Sequence, residues 1–161
     1  MYYLIDGYNF LFSFVDSKQS LLSQRKIIIS FIKEKFSICQ LEGTLVFDGA
    51  RKHDEESGIS YAPPLEIVYT PKGQTADEYI VEKVSRENKE KQFTVVTNDR
   101  GLKSHCSAVG TKVLLNLDFL KWLQKKTEKN SKKPFPKESQ ANLDRLLKIF
   151  EERVKETKDW D

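Results

Sequence analysis

Short apolar runs alternate with amphipathic stretches along most of the chain. Leu4-Ile5, preceded by two tyrosines, reads as a short buried strand that ends at Asp6-Gly7. The spacing of Leu21, Ile28, Phe31, Ile32 and Phe36 predicts a helix over about 20–37. Thr44–Phe47 predicts a second strand, ending at Asp48-Gly49. Further strands are expected at 66–70, 93–97 and 112–115, with helices at 75–88 and about 117–129. Residues 50–64 are polar, contain Gly58 and Pro63-Pro64, and read as a long loop of the kind that often carries function. A last helix is expected over 139–155, with Leu143, Leu146, Leu147, Phe150 and Val154 as its apolar stripe. Strands alternating with helices predict an α/β fold: a mainly parallel five-stranded sheet between two helical layers. Lys132-Lys133-Pro134-Phe135-Pro136 interrupts the pattern. The expected organisation is therefore a domain over 1–130, then a linker and amphipathic helix over 131–161 that packs on it or extends it.

A chain of 161 residues suits one domain with a core large enough to need no disulfide or metal staple. Its 39% hydrophobic and 32% charged residues are those of a globular protein. No apolar run approaches the length of a membrane span, and the opening lacks the basic head of a signal peptide. Two cysteines do not make a disulfide scaffold, so a reduced, cytoplasmic protein without a membrane partner is expected. The net charge of +3 is unevenly spread. Residues 119–137 carry seven basic residues and one acid, whereas 1–118 carry 15 against 16 and 138–161 carry five against seven. The basic block suits either a solvated surface or a phosphate-bearing partner. Lys121 and Lys125 are its expected exposed pair on a helix whose Leu120 and Leu123 turn inward. Lys132 and Lys133 flank Phe135, which suits either stacking on a base or anchoring the last helix.

Three expected strands end in an acid: Asp6, Asp48 and, after Val-Thr-Asn, Asp99. Each has a bland explanation, since Asp-Gly favours turns and Asp99 suits the N-cap of a short helix at 100–104. Together they would rim one crevice, because parallel α/β sheets bind ligands at the carboxyl ends of their strands. Like charges gathered there call for a cation, and oxygen donors without a His or Cys cluster suit Mg²⁺ or Mn²⁺. A fourth acid follows in Thr75-Ala-Asp77-Glu78, where Thr75 and Glu78 fit a capping box. That leaves Asp77, which falls within the apolar stripe of Ile80, Val81 and Val84 on a helical wheel. A carboxylate there is costly unless paired or metal-bound, although the helix dipole also favours it.

Asp6-Gly-Tyr-Asn9, Phe47-Asp48-Gly49, Thr75-Ala-Asp77-Glu-Tyr-Ile80 and Thr97-Asn-Asp99-Arg-Gly101 together resemble the NYN branch of the PIN-like nucleases. Their order and spacing are most similar to the bacterial YacP-like endoribonucleases, over roughly residues 1–125. The resemblance implies a three-layer, Rossmann-like sheet in the order 3-2-1-4-5, with Asp6 and Asp99 beside the switch point. It also implies a metal-dependent endoribonuclease, acting on mRNA on or near the ribosome, with Asp6, Asp77 and Asp99 as catalytic metal ligands. Asp48 joins them as a further candidate ligand.

One or two metal ions can activate water, neutralise a phosphorane and assist the leaving oxygen. The RNA itself would be held by basic residues near the strand ends or in the approach to Asp77, namely Arg51, Lys52, Lys72 and Arg100. Lys125, Lys132 and Lys133 would extend that surface. Asn9 suits either a substrate contact or the cap of the next helix. His105-Cys106 lacks an identifiable orienting acid for a nucleophilic pair. Tyr8 stands two residues after Asp6, where aspartyl phosphatases commonly carry a second Asp. No glycine-rich nucleotide loop is present. The rival class is an RNA- or ribosome-binding module that keeps the fold without turnover, and a DNA-directed enzyme is a third possibility.

Overall fold

The computed structural model describes residues 1–14, 18–49, 58–87, 92–131, 144–146 and 148–149. Within them the chain runs β1 (Tyr2–Asp6), α1 (Gly7–Phe14), α2 (Leu21–Cys39), β2 (Glu42–Phe47), β3 (Gly58–Ala62) and β4 (Leu65–Tyr69). It continues with α3 (Ala76–Glu87), β5 (Phe93–Val96), α4 (Arg100–Ala108), β6 (Lys112–Leu114) and α5 (Asn116–Asn130). One sheet contains the strands in the order β3-β4-β2-β1-β5-β6. Every pairing is parallel except the β3–β4 hairpin. The five parallel strands thus follow the expected 3-2-1-4-5 order, with one antiparallel strand added at the edge.

That edge strand corrects the reading of 50–64 as loop throughout. Its backbone pairs with β4, Ile59 opposite Val68 and Ala62 opposite Leu65, across the short Pro63-Pro64 connection. An edge strand gains its order from a partner close by in sequence rather than from a buried apolar run, so periodicity gives it little signal. A second correction concerns Asp6-Gly7, which is no open turn: α1 starts at Gly7 directly from β1. Gly7 is required by close approach. A Cβ there would lie 2.6 Å from the Phe47 ring and 2.8 Å from the Val46 carbonyl oxygen.

Strand alternation divides the core between two faces. Tyr3, Ile5, Leu45, Phe47, Ile67 and Val96 face α1, α2 and α5. There Tyr3, Phe10, Phe36 and Phe119 form an aromatic cluster with ring centroids 5.5–6.4 Å apart. Leu146, from the C-terminal segment, packs into the same cluster. Leu143, Leu147, Phe150 and Val154, expected as the stripe of a last helix, lie outside the described residues. Leu4, Val46, Val68, Phe93 and Val95 face α3 and α4, meeting Ile80, Val84, Leu102 and Cys106. Asp6 shares the alternation of Leu4, so it points to the α3/α4 side. No helix among the described residues is long and apolar enough to cross a membrane.

Candidate active site

β1 is central, with β2 on one side and β5 on the other, and the chain leaves toward β2 before returning to β5. The C-terminal ends of β1 and β5 therefore flank the switch point where such sheets open a crevice. Asp6 stands at that end of β1 and is 6% exposed. Its carboxylate accepts the Thr97 hydroxyl at Oδ2, 3.2 Å away, and the backbone N–H of Asn9. Burial foremost, then the charge of Asp77, pushes its pKa up to about 7, against the opposing effect of those two hydrogen bonds. Asp99 adds a smaller push in the same direction.

Asp77 occupies the first turn of α3 and is half-buried, in line with the fully buried Ile80 and Val84. Its own pKa is raised by desolvation first, then by Asp99, Asp48 and Glu78. His105, exposed on α4, opposes this. Glu78 has a separate task. The Thr75 N–H donates to Glu78 Oε2 at 3.0 Å and the Glu78 N–H to Thr75 Oγ at 3.2 Å, the reciprocal bonds of a capping box.

Asp99 caps α4 with Oδ1, which accepts the Leu102 N–H at 2.8 Å. That role occupies one of its oxygens and leaves Oδ2 for other work. Asp48 follows β2, and Gly49 behind it passes so close to Thr70 that a Cβ would overlap the Thr70 carbonyl. Asp6, Asp77 and Asp99, with Asp48 within electrostatic reach of Asp77, thus belong to one field although the chain spreads them over 93 positions (99 − 6).

Among the described residues, no three His, Cys, Asp or Glu side chains form a ready-made metal cluster. The donor set still has the chemistry of a hard-cation site, since the neighbouring charges acting on Asp6 are carboxylates and all donors are oxygens. Mg²⁺ commonly uses one or two protein carboxylates and completes its shell with water and substrate phosphate. Asp6, Asp77 and Asp99 are the acids that could hold such an ion with water completing its shell, whereas direct ligation by three or more of them at once is not what the described side chains display.

The other candidates are less closely gathered. Lys72 is exposed in the turn that leads from β4 to α3, and Arg100 is exposed at the first position of α4. Lys125 is exposed on α5, nine residues or roughly 13.5 Å along the axis from the helix start beside the site. Arg51, Lys52, Lys132, Lys133 and Phe135 lie outside the described residues. Asn9 sits inside α1, so it is not the cap of that helix. Its amide oxygen accepts the Asn98 N–H at 2.8 Å and Nδ2 of Asn116 at 2.9 Å. Cys106 is fully buried, and burial pushes its thiol up to about 11, which leaves it unsuited to nucleophilic catalysis.

Sequence reasoning passed over Thr97, Asn98, Asn116 and Arg25. The polar run Thr97-Asn98-Asp99 directly after an apolar strand was the available signal for the first two. Arg25 carries no such mark. It is 4% exposed, donates through Nη1 to the Tyr8 hydroxyl at 3.1 Å, and lies 5.8 Å from the Tyr69 ring centre.

This arrangement, a doubly covered parallel sheet with acids converging at the switch point, is that of a nuclease-type NYN domain. The model of the YacP-like NYN domain matches residues 3–161, and the chain belongs to that family. The crystal structure of Rae1 (YacP) from Bacillus subtilis superposes with a TM-score of 0.67 at 21% identity, covering 99% of this chain and 94% of that one. Its W164L mutant gives 0.59 at 21% identity, with 80% and 77% covered. No curated protein matches the sequence.

Proposed function

We propose that the protein is a Mg²⁺- or Mn²⁺-dependent endoribonuclease, with mRNA on or near the ribosome as its substrate in the cytoplasm. The observation that carries this reading is the convergence of Asp6, Asp77 and Asp99 on the α3/α4 side of the switch-point crevice. There their charges act on one another strongly enough, with burial, to raise Asp6 to about 7. A fold that only bound RNA would gain nothing from setting mutually repelling carboxylates where phosphates must approach. A bound divalent ion would neutralise charge on the phosphodiester and make water a better nucleophile.

The chain's own residues then divide the work. Asp6, Asp77 and Asp99 hold the cation, with Asp48 adding negative potential beside Asp77. Thr97 and the Asn9 N–H keep Asp6 oriented and partly offset the cost of its charge. Among the described residues, Lys72 and Arg100 are exposed cations close in the chain to this edge, suited to flanking phosphates together with Arg51 and Lys52 beyond Asp48. Family membership supports RNA rather than DNA, and the family resemblance together with the basic 119–137 block supports the ribosome.

The deciding experiment is cleavage of defined RNAs by wild type and Asp77→Asn, in Mg²⁺, Mn²⁺ or chelator, with and without ribosomes. Metal-dependent cleavage by wild type alone is expected. RNA binding that is equal in chelator and in metal, without cleavage, would identify a binding module instead. Cleavage that needs no ribosome would remove the ribosome from the reading and leave the nuclease.

A further inference from the structure

The N-terminus of α5 is held in an unusual way. Its N-cap, Leu115, offers no side-chain hydrogen bond. The first helical N–H, that of Asn116, is instead accepted by Asn98 Oδ1, 2.9 Å away and 18 positions earlier. Asn116 is fully buried, and its Nδ2 lies within hydrogen-bonding distance of three acceptors. These are the Asn9 Oδ1 at 2.9 Å, the Asn9 carbonyl at 3.2 Å and the Ser13 hydroxyl at 2.9 Å. The acceptors fix which way the amide points, because the reverse orientation would set oxygen against oxygen. Its Oδ1 is left enclosed without a hydrogen-bond partner among the described residues. Such an orphan costs about 1–3 kcal/mol. A leucine at 116 would avoid that cost. Side-chain bonds from Asn116 run to α1 and none serves α5 itself.

Those bonds end at the two segments that carry the acids. The Asn9 N–H holds the Asp6 carboxylate, and the Asn9 amide oxygen holds the N–H of Asn98, immediately before Asp99. The Asp99 N–H is in turn held by Thr97 Oγ at 3.0 Å, the same hydroxyl that donates to Asp6. We infer that Asn116 is a positioning residue that sets the separation of Asp6 and Asp99 through Asn9 and Asn98. This inference rests on the nuclease reading above. Without the Asn116 side-chain amide, Asn9 Oδ1 keeps only one of its two donors, the Asn98 N–H, and α1 loses its side-chain link to α5, while the Asn116 N–H still reaches Asn98 Oδ1. Asn9 is then less firmly placed, and with it the Asp6 carboxylate on one side and the Asn98–Asp99 backbone on the other, so the two acids shift relative to each other. Displacements of about 1 Å at a reacting centre can cost around 100-fold in rate. Loss of an outer-shell partner typically costs about 10–100-fold in metal affinity or activity.

The test compares wild type, Asn116→Ala, Asn98→Ala and Leu123→Ala by melting, Mn²⁺ titration and RNA cleavage. Leu123 is fully buried two turns further along α5, so its truncation destabilises the same helix without touching the tie. In Asn116→Ala, kcat should fall about 10- to 100-fold and Mn²⁺ affinity about 10-fold, with KM for RNA within about twofold. Leu123→Ala should lose as much in Tm yet keep both kcat and Mn²⁺ affinity. Asn98 is exposed, so Asn98→Ala cuts the tie from its other end and decides the matter if Asn116→Ala does not fold. Unchanged kcat and Mn²⁺ affinity in the Asn variants, or equal losses in Leu123→Ala, would overturn the inference. A wild type that neither binds Mn²⁺ nor cleaves RNA would instead overturn the nuclease reading, and the inference with it.

Discussion

The Thr97 hydroxyl donates to Oδ2 of Asp6 across 3.2 Å, from the end of β5 to the end of β1. The same oxygen accepts the Asp99 N–H, so one small side chain links two acids of the site. Replacing Thr97 by Val keeps the shape, since it is fully buried, but removes both bonds. The pKa of Asp6 should rise further, and cleavage near neutral pH should fall about 10-fold. A pH–rate profile displaced to higher pH checks this.

Asp77→Asn should abolish cleavage, a loss of at least about 100-fold, while leaving Tm unchanged or slightly higher. The amide keeps the packing beside Ile80 and removes a charge that burial and Asp99 already oppose. Glu78→Gln should be mild, because Gln still completes the capping box with Thr75. Cleavage assays on both, beside thermal melts, separate the two roles. Equal losses would show that Glu78 also serves the site.

Without divalent metal, wild-type stability should decline as pH rises from about 4 to about 7. The unfolded chain releases the Asp6 proton near 3.8, whereas the folded protein holds it to about 7. The folded state therefore binds more protons in that window, and its advantage is lost as pH climbs. The difference corresponds to at most about 4 kcal/mol. Asp77, raised as well, acts in the same direction. Asp6→Asn should match wild type near pH 4 and exceed it at pH 8. Urea titrations in chelator across that range measure the gap, and a gap that shrinks with pH would contradict the assignment.

Gly49→Ala should destabilise by about 3 kcal/mol or more, a fall in Tm of roughly 6–12 °C. The added Cβ collides with the Thr70 carbonyl, and backbone cannot step aside as a side-chain tip can. Thermal melts test this, and Gly73→Ala provides the contrast, since nothing lies within 4 Å of a Cβ there and its φ of +92° is the source of strain.

Replacing Lys125, Lys132 and Lys133 together by Gln should flatten the salt dependence of RNA binding and spare cleavage of a short RNA at saturation. Lys125 is exposed well along α5 from the acids, so its reach is to flanking phosphates. Binding measured across a salt series gives the slope, and an unchanged slope would detach this block from RNA.

The parallel core was legible because each of its strands is a compact apolar run, and because buried Ile28, Ile32 and Phe36 repeat at helical spacing. Asp77 was legible for the opposite reason: a charge inside an apolar stripe stands out. β3 was not, since its order comes from β4. α1 was hidden because Asp6-Gly7 looks like a turn, while Gly7 serves a tight approach to Phe47. The Asn9–Asn98–Asn116 tie was invisible for a further reason. Each asparagine looks like an ordinary surface or capping residue, and only the fold brings positions 9, 98 and 116 together.

The central place of β1 also governs when the site comes into being during synthesis. The first strand made is completed on one side by β2, at 42–47, and on the other by β5, at 93–96. Such long-range pairing is slow compared with local helix formation. A nascent chain that has released only residues 1–70 carries Asp6 and Asp48 but neither Asp77's helix nor Asp99's loop. The acids can be gathered only once β5 has docked, and the asparagine tie closes only after Asn116 has emerged.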